Sequence, residues 1–410
     1  MRILMLAPGN WIHSKRTVNC LLDIGHEITF VDGDNPLPEG REGFTFVPYP
    51  RSGSRFYKKV IGNNLGNKIA ERLVVAQFRS LWKQLKPDIV HVCWLDKRAY
   101  LCARAGMKPL MLSVWGSDLN SQFLSDASLD EASMAAEALN SADITIVDAP
   151  DMHEKCSRLA GKRIRTEEVH LGADTRLFRP DRQAAMAWRQ RLNIPAGSKV
   201  LVSIRAMASR YGHHLILEAF ARAVPRFKHR AFLVFKDYNG SGPTYPSALR
   251  ALATRYAVDD YIRWIGEVSL IEMPQLYALS EAIINLPAMD AFPVTFVEAA
   301  ACERMVISCK LPSYLGTFAE KYFRLVEPDN PEAFADAIVA LVNETAAEGK
   351  QRLSKLAELR CLILKEYDET LYSRRLSELY KEIAANRPTL VARVGAFLVL
   401  CLTSVVLGVF

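Results

Sequence analysis

The 410-residue sequence lacks the signatures of several large protein classes. Its eight cysteines, Cys20, Cys93, Cys102, Cys156, Cys302, Cys309, Cys361 and Cys401, form no CxxC pair, and none has a histidine at zinc spacing. That argues against zinc ribbons and thioredoxin-like redox motifs and leaves free, mostly buried thiols in a reducing compartment as the expectation. Gly9 has no GxGxxG company, which disfavours a Rossmann dehydrogenase. Glycine (21) and proline (20) are near average use, so collagen-like and low-complexity character are excluded. No repeat of solenoid period is present. Excess charge of one sign is also small: 52 basic against 45 acidic side chains leaves +7, which does not by itself indicate a nucleic-acid partner. A local basic patch facing anionic lipid or phosphate fits the balance equally well. The opening apolar run, Met1 to Ala7, stops at Pro8-Gly9 and is too short for the apolar region of a signal peptide.

What is present is a chain that is 50% hydrophobic and 24% charged, long enough for two domains. Short apolar runs alternate with helical patterns from the first residue. Arg2 to Leu6, Glu27 to Val31, Phe44 to Val47, Ile89 to Val92, Leu110 to Val114 and Ile144 to Val147 read as strands, with Lys15 to Ile24 and Ile69 to Leu85 as helices. A second series begins near Lys199. Strands are predicted at Val200 to Ile204, Ala231 to Phe235, Ile262 to Ile265, Ala282 to Asn285 and Met305 to Ser308, with helices at His214 to Val224 and Pro246 to Tyr256. Alternation of this kind gives parallel sheets covered by helices on both faces. The expectation is two doubly wound α/β domains facing across a cleft, 1–180 and 181–365, followed by a helical segment at 366–388. Leu353 to Ala385 reads as one long helical stretch.

The last residues differ from the rest. Val394 to Phe410 carries no charge, and with Thr389 to Ala392 it nears the ~20 residues that span a bilayer. Lys381, Arg387 and Arg393 precede it, so the positive-inside rule puts the globular part in the cytoplasm. The expectation is a C-terminal hydrophobic helix over 389–410 that associates with a membrane. The segment 51–72 holds Arg51, Arg55, Lys58, Lys59, Lys68 and Arg72 against the single acid Glu71, interleaved with Phe56, Tyr57, Val60, Ile61 and Leu65. It reads either as a basic amphipathic membrane surface or as a loop of solvated charge.

Ligands of open α/β sheets sit beyond the carboxyl ends of the strands, and phosphates sit at helix N-termini there. The richest such loop is Pro287 to Cys302. It follows a strand, turns at Pro293 and opens a helix whose first N–H groups come from Val294 and Thr295. Glu298 lies one turn in and Asp290 lies in the loop before, so a diphosphate at the N-terminus leaves Glu298 for a ribose diol and Asp290 for sugar hydroxyls. An acidic pair that merely complements the helix dipole is the alternative. Ser203 to Gly212 brings Arg205 and Arg210 into one loop after a strand, where a diphosphate wants cations. Lys236 follows the next strand. In the first half, Gly9 to Ser14 joins strand to helix and carries His13, which either touches substrate or caps locally. Asp118, after Leu112 to Val114, is either a substrate contact or a helix N-cap. His213-His214 reads as surface or supporting structure, and no metal-binding constellation appears.

Together these segments resemble the retaining glycosyltransferases of the GT-B fold, in the large family 4 (glycosyl transferases group 1) that uses nucleotide sugars. Ile12 to Arg16 resembles the "IHtrRW" opening of one branch. Pro87 to Val92 and Ser113 to Asp118 are similar to its "PDivH" and "sxWGsD" segments, and His170 to Pro180 is similar to "GvDtxxFxP". Asp290 to Glu298 matches the acidic motif with seven residues between the carboxylates. The resemblance implies that Glu298 holds the nucleotide ribose, that Asp290 and Phe292, Pro293, Val294 and Thr295 hold the sugar and diphosphate, and that Arg205 with Arg210 neutralises the leaving group. Lys236 and Gly9 are counted with the donor-binding residues, His13 and Asp118 with the acceptor or sugar side. It implies no metal and no cofactor, with UDP or GDP on the co-substrate. The sequence departs from the pattern at five places: Asp290 replaces the usual Glu, Tyr211-Gly212 stands where Lys-Gly is common, Glu303 stands where a glycine follows the acidic motif, the first loop lacks a Gly-Gly pair, and Trp115 replaces a histidine.

The function implied is transfer of a sugar from a nucleotide diphosphate sugar to an acceptor hydroxyl, with retention. The implied acceptor is a lipid-linked glycan or envelope polysaccharide, and the implied location is the cytoplasmic face of the membrane, with contact through 51–72 and 389–410. No nucleic-acid partner is expected. A nucleotide-sugar epimerase of the same fold, or a membrane-tethered partner subunit without turnover, are the other readings.

Overall fold

The computed structural model describes residues 1–37, 40–49, 63–123, 128–236 and 244–385. The apolar tail 389–410 lies outside the described residues, as does 51–62 of the basic segment. Among the described residues no helix is long and apolar enough to cross a membrane.

The first sheet has seven strands: β1 (Arg2–Leu6), β2 (Glu27–Asp32), β3 (Phe44–Pro48), β4 (Ile89–Cys93), β5 (Leu110–Ser113), β6 (Ile144–Val147) and β7 (Thr166–Glu168), in the order β3-β2-β1-β4-β5-β6-β7. The second has six: β8 (Lys199–Ser203), β9 (Ala231–Lys236), β10 (Ile262–Ile265), β11 (Ala282–Asn285), β12 (Met305–Cys309) and β13 (Arg324–Val326), in the order β10-β9-β8-β11-β12-β13. Pairing is parallel in register, as in Leu4 opposite Thr29 and Val90, and Leu201 opposite Leu233 and Ala282. Strands β4 and β9 are buried along their whole length, which is why Ile-Val-His-Val-Cys and Ala-Phe-Leu-Val-Phe-Lys read as largely apolar runs rather than alternating ones. The chain order reverses between β1 and β4 in one sheet and between β8 and β11 in the other. Those two switch points are where crevices for ligands open.

By contact the residues group into two compact units: Met1–Ser113 with Ser133–Thr145 and the chain from Arg374, and Val114–Ala132 with Ile146–Ser373. The expected single helical stretch Leu353 to Ala385 is two helices, Ala346–Glu366 and Glu369–Ala385. The break has a distant cause. The Ala173 N–H donates to the Tyr367 carbonyl and the Glu369 N–H donates to the Ala173 carbonyl, each at 3.0 Å, so this stretch pairs with a strand-like segment instead of its own helix. Asp368 then accepts from the Thr175 hydroxyl (2.6 Å) and from the Thr370 N–H (3.0 Å). The first of these helices starts at a capping box, with the Thr345 hydroxyl and the Glu348 carboxylate satisfying each other's backbone N–H groups. Seven described cysteines are free: five buried, Cys20 half-buried and Cys361 exposed.

In the first unit, His91 of β4 is fully buried, with Nδ1 2.7 Å from Tyr380 Oη and Nε2 2.7 Å from Ser113 Oγ. Burial pushes its imidazole down to about 3. The unfolded chain takes up this proton near pH 6.5 and the folded chain does not. The stability linked to His91 is therefore complete above pH 6.5 and is lost as pH falls toward 3, at about 1.4 kcal/mol per pH unit. Urea melts between pH 7 and 5 are expected to lose stability more steeply in the wild type than in His91→Gln. Tyr380→Phe is expected to cost about 1–3 kcal/mol by stripping a buried ring nitrogen of its partner. Equal slopes in the two proteins would remove this account.

Candidate functional site

The site lies in the second unit, at the carboxyl ends of β8, β11 and β12 and the loops packed against them. Its centre is an ion pair. Arg205, two residues past β8, holds Asp290, five residues past β11, with Nη1 3.1 Å from Oδ2 and Nη2 3.4 Å from Oδ1. Both side chains are about six-sevenths covered, at 14% and 15% exposure, so the attraction is little screened. Burial opposes the Arg205 charge, but Asp290, Tyr211 and Tyr314 outweigh it and hold the guanidinium proton more firmly than usual. The Tyr314 hydroxyl donates to Asp290 Oδ2 at 3.3 Å, and the Ser313 hydroxyl and Asn120 amide donate to the Asp290 carbonyl at 3.0 and 3.3 Å. Asn120 is in turn held by Lys155, whose Nζ lies 2.7 Å from Asn120 Oδ1 and 2.6 Å from Asp151.

Arg210 is exposed, and Tyr211 lies under both arginines, with the guanidinium carbons 4.2 Å (Arg205) and 4.9 Å (Arg210) from its ring centre. Burial alone would raise the Tyr211 phenol; Arg205 and Arg210 hold it below its usual range. The tyrosine in the place of a lysine thus gathers two arginines on one ring.

The loop between Asn285 and Val294 is fixed by two backbone approaches that no side chain could survive. At Gly212 (φ 64°) a Cβ would lie 2.0 Å from the Leu286 carbonyl oxygen, and at Gly116 (φ 109°) one would lie 2.3 Å from Ala291 Cβ. The Ala288 N–H also donates to the Arg210 carbonyl at 3.1 Å. The helix Val294–Ala301 opens directly after this loop. Pro293 is its N-cap in extended conformation and makes no side-chain cap to the first N–H groups. Thr295 Oγ1 at that end is buried without a partner. Glu298, 7% exposed, accepts a hydrogen bond from the Tyr277 hydroxyl at 2.7 Å. Phe292 is buried and sits edge-on to His170, 5.2 Å between ring centres.

The structure therefore brings Arg205, Arg210, Asp290, Phe292, Pro293, Val294, Thr295 and Glu298 into one neighbourhood. Asp118 belongs to the same unit; its helix is capped by Gly116, and its carboxylate accepts instead from the Trp115 N–H at 3.1 Å. Lys236 ends β9 and is buried. Gly9 and His13 belong to the first unit, where the Gly9 N–H donates to Asp32 Oδ2 at 2.8 Å and His13 lies in the first turn of the helix Ile12–Asp23. Asp148 was missed. It directly follows β6, and the same after-the-strand rule points to it. Its Oδ1 is buried without a partner, and burial, then Asp118 and Asp290, hold its carboxyl well above the ordinary range. Tyr277 and Tyr314 carried no signal, because both read as core aromatics.

Residues 185–360 match the family described as Glycosyl transferases group 1, and residues 2–149 match Glycosyl transferase 4-like. D-inositol 3-phosphate glycosyltransferase of Corynebacterium urealyticum is 25% identical over 225 residues, covering 54% of this chain and 52% of that protein. D-inositol 3-phosphate glycosyltransferase 2 of Catenulispora acidiphila is 23% identical, covering 61% of each. The chain thus spans between half and two thirds of the length of these relatives. Among solved structures, Anabaena Alr3699/HepE in complex with UDP aligns with a TM-score of 0.73 and 16% identity, over 93% of this chain and 100% of that one. Sucrose-phosphate synthase of Thermosynechococcus elongatus aligns with a TM-score of 0.73 and 15% identity, over 94% and 100%. These likenesses show the fold, two parallel-sheet Rossmann-like halves of GT-B type.

Two residues of this unit, Glu303 and Asp148, carry stability predictions of their own. Glu303 has φ 56°, so its position keeps the left-handed backbone that a glycine adopts freely. Glu303→Gly is expected to raise stability by roughly 0.5–1 kcal/mol in urea melts, and a loss would show that the Glu303 side chain matters more than its backbone. Asp148 holds its proton after the unfolded chain has lost it near pH 3.8, so its contribution to stability falls as pH rises from there through its folded value. Asp148→Asn is expected to raise the Tm relative to wild type, more at pH 7.5 than at pH 4. A gain that does not change with pH would show that Asp148 is ionised in the folded chain.

Proposed function

From a chain that carries a group 1 glycosyl transferase domain and a glycosyl transferase 4-like domain, we propose a glycosyltransferase that moves a sugar from a nucleotide diphosphate sugar to an acceptor hydroxyl. The observation that carries this reading is the buried Arg205–Asp290 pair beside an uncapped helix N-terminus, with Glu298 one turn inside. The diphosphate seats on the N–H groups of Val294 and Thr295, where the helix dipole favours an anion. Glu298, oriented by Tyr277, accepts from the ribose diol. Asp290, oriented by Arg205 and Tyr314, accepts from hydroxyls of the sugar being moved. Arg205 and Arg210 offset the charge that grows on the diphosphate as the glycosidic bond breaks, which is the largest electrostatic demand of the reaction. Lys236, at the end of β9, is assigned to the same anion.

The finer features follow the same reading. Transfer proceeds with retention and without a metal, the two arginines and the helix end supplying the positive charge. The acceptor proton passes late, to an oxygen of the departing diphosphate. UDP is the favoured nucleotide, because structural neighbours were captured with UDP and UDP-glucose. His13 and Asp118 are assigned to the acceptor and sugar. The sequence of 51–72 and 389–410 supports a chain held at the cytoplasmic face of a membrane, acting on a lipid-linked glycan or envelope polysaccharide.

A thermal-shift panel of UDP-, GDP- and ADP-sugars tests the donor. A ligand at one hundred times its Kd stabilises the folded state by about 2.7 kcal/mol. UDP-sugars are expected to raise the Tm of the wild type and to lose that effect in Glu298→Ala. Absence of a shift with every nucleotide sugar would overturn the donor site.

A further inference from the structure

The loop that carries Asp290 is held from a side that the donor chemistry leaves unexplained. The short helix Ser117–Asn120 and the helix Asp151–Ala160 follow β5 and β6 in the chain, yet by contact both group with the second unit, as Asp290 does. Segment 116–120 touches the loop twice. Gly116 packs its bare Cα on Ala291, and the Asn120 side-chain amide donates to the Asp290 carbonyl at 3.3 Å. The Asn120 N–H donates to the Gly116 carbonyl at 2.8 Å, which ties the two touches together.

Lys155 decides which way the Asn120 amide faces. Its ammonium has donors only, so the amide turns its oxygen to it, at 2.7 Å, and the amide nitrogen is left for the Asp290 carbonyl. The reversed amide would set N–H against ammonium and oxygen against carbonyl, and both bonds would be lost. Lys155 is itself fixed by Asp151, four residues earlier on the same helix, at 2.6 Å. Asn120 is buried, so the bonds of its amide are not readily replaced by water.

The effect reaches the Asp290 carboxylate through a peptide plane. The Asp290 carbonyl accepts from Asn120 and from the Ser313 hydroxyl at 3.0 Å, which uses both of its lone pairs. A planar trans peptide then points the next N–H the opposite way. That N–H, of Ala291, donates to Asp290 Oδ1 at 3.2 Å, the same oxygen that Arg205 Nη2 approaches at 3.4 Å. The carbonyl on one side and the carboxylate on the other are thus oriented by one plane.

We propose that Lys155 and Asn120 are positioning residues for the sugar half of the donor: Lys155 orients the Asn120 amide, the amide sets the 290–291 peptide, and the peptide sets the Asp290 carboxylate. The inference rests on the glycosyltransferase reading, in which Asp290 meets the transferred sugar and Glu298 the nucleotide. It adds that the grip on the sugar is governed from the helix after β6, whereas the grip on the nucleotide is not.

Isothermal titration calorimetry on the full chain tests it, with UDP, UDP-glucose, UDP-galactose and UDP-N-acetylglucosamine as probes. At least one UDP-sugar is expected to bind the wild type. In Lys155→Met, which keeps the stem and removes the donors, affinity for that sugar nucleotide should fall at least fivefold, while affinity for UDP stays within twofold. Asn120→Asp, which accepts but does not donate to the carbonyl, should show the same split. Lys155→Arg, which still donates, should keep at least half of the wild-type affinity. Unchanged UDP binding also shows that a variant folds, and if Lys155→Met does not fold, Asn120→Asp decides. UDP-sugar affinity unchanged in either variant, or an equal fall for UDP and the UDP-sugar, would overturn the positioning role while leaving the donor reading intact. A wild type that binds none of the four probes would instead sink the donor reading, and the positioning role with it.

Discussion

The second unit depends on one loop passing where only bare backbone fits. Residues 286–293 run against Gly212 on one side and Gly116 on the other, at distances that a methyl group would close completely. Because one approach is to the Leu286 carbonyl and the other to the Ala291 Cβ and main chain, the loop has little freedom to shift along its path, and Asp290 is delivered to Arg205 with its carbonyl already held by Ser313 and Asn120. The helix that follows inherits its direction from that loop. A change at either glycine would therefore act on the ion pair, the helix N-terminus and Glu298 together, although neither glycine touches those groups through a side chain.

The charges are arranged in layers. Burial first, and then the nearby Asp118 and Asp290, hold the Asp148 carboxyl well above its ordinary range. The cations face them from two directions: Arg205 on Asp290, and Lys155 through Asn120. Arg210 stands outside this balance, exposed over Tyr211. An incoming anion therefore meets Arg205, already ion-paired with Asp290, and Arg210, which is exposed on the Tyr211 ring and has no carboxylate partner among the described residues.

The strands were legible because buried parallel strands leave continuous apolar runs, and the helix-opening loop after β11 was legible because Pro293, Asp290 and Glu298 stand at spacings that only a loop-to-helix turn explains. The short strands Thr166–Glu168 and Arg324–Val326 were not, since three residues at a sheet edge leave no periodicity to read. The break at Tyr367 was hidden for a different reason. It is imposed by the backbone of Ala173, far away in sequence, on a stretch whose own residues favour helix. Tyr277 and Tyr314 show the same limit at the site: a buried tyrosine that orients a carboxylate has the same sequence signature as one that only fills the core. Glu303 is the reverse case, where a residue foreign to the pattern keeps the backbone conformation of the glycine it replaces.

The helix beginning at Val294 is left without a side-chain cap. Pro293 has no side-chain oxygen to offer, so the first main-chain N–H groups of the helix are not claimed by their own N-cap residue. A ligand that hydrogen-bonded there would displace solvent rather than a capping side chain, and its entry would require no capping rotamer of the protein to move aside.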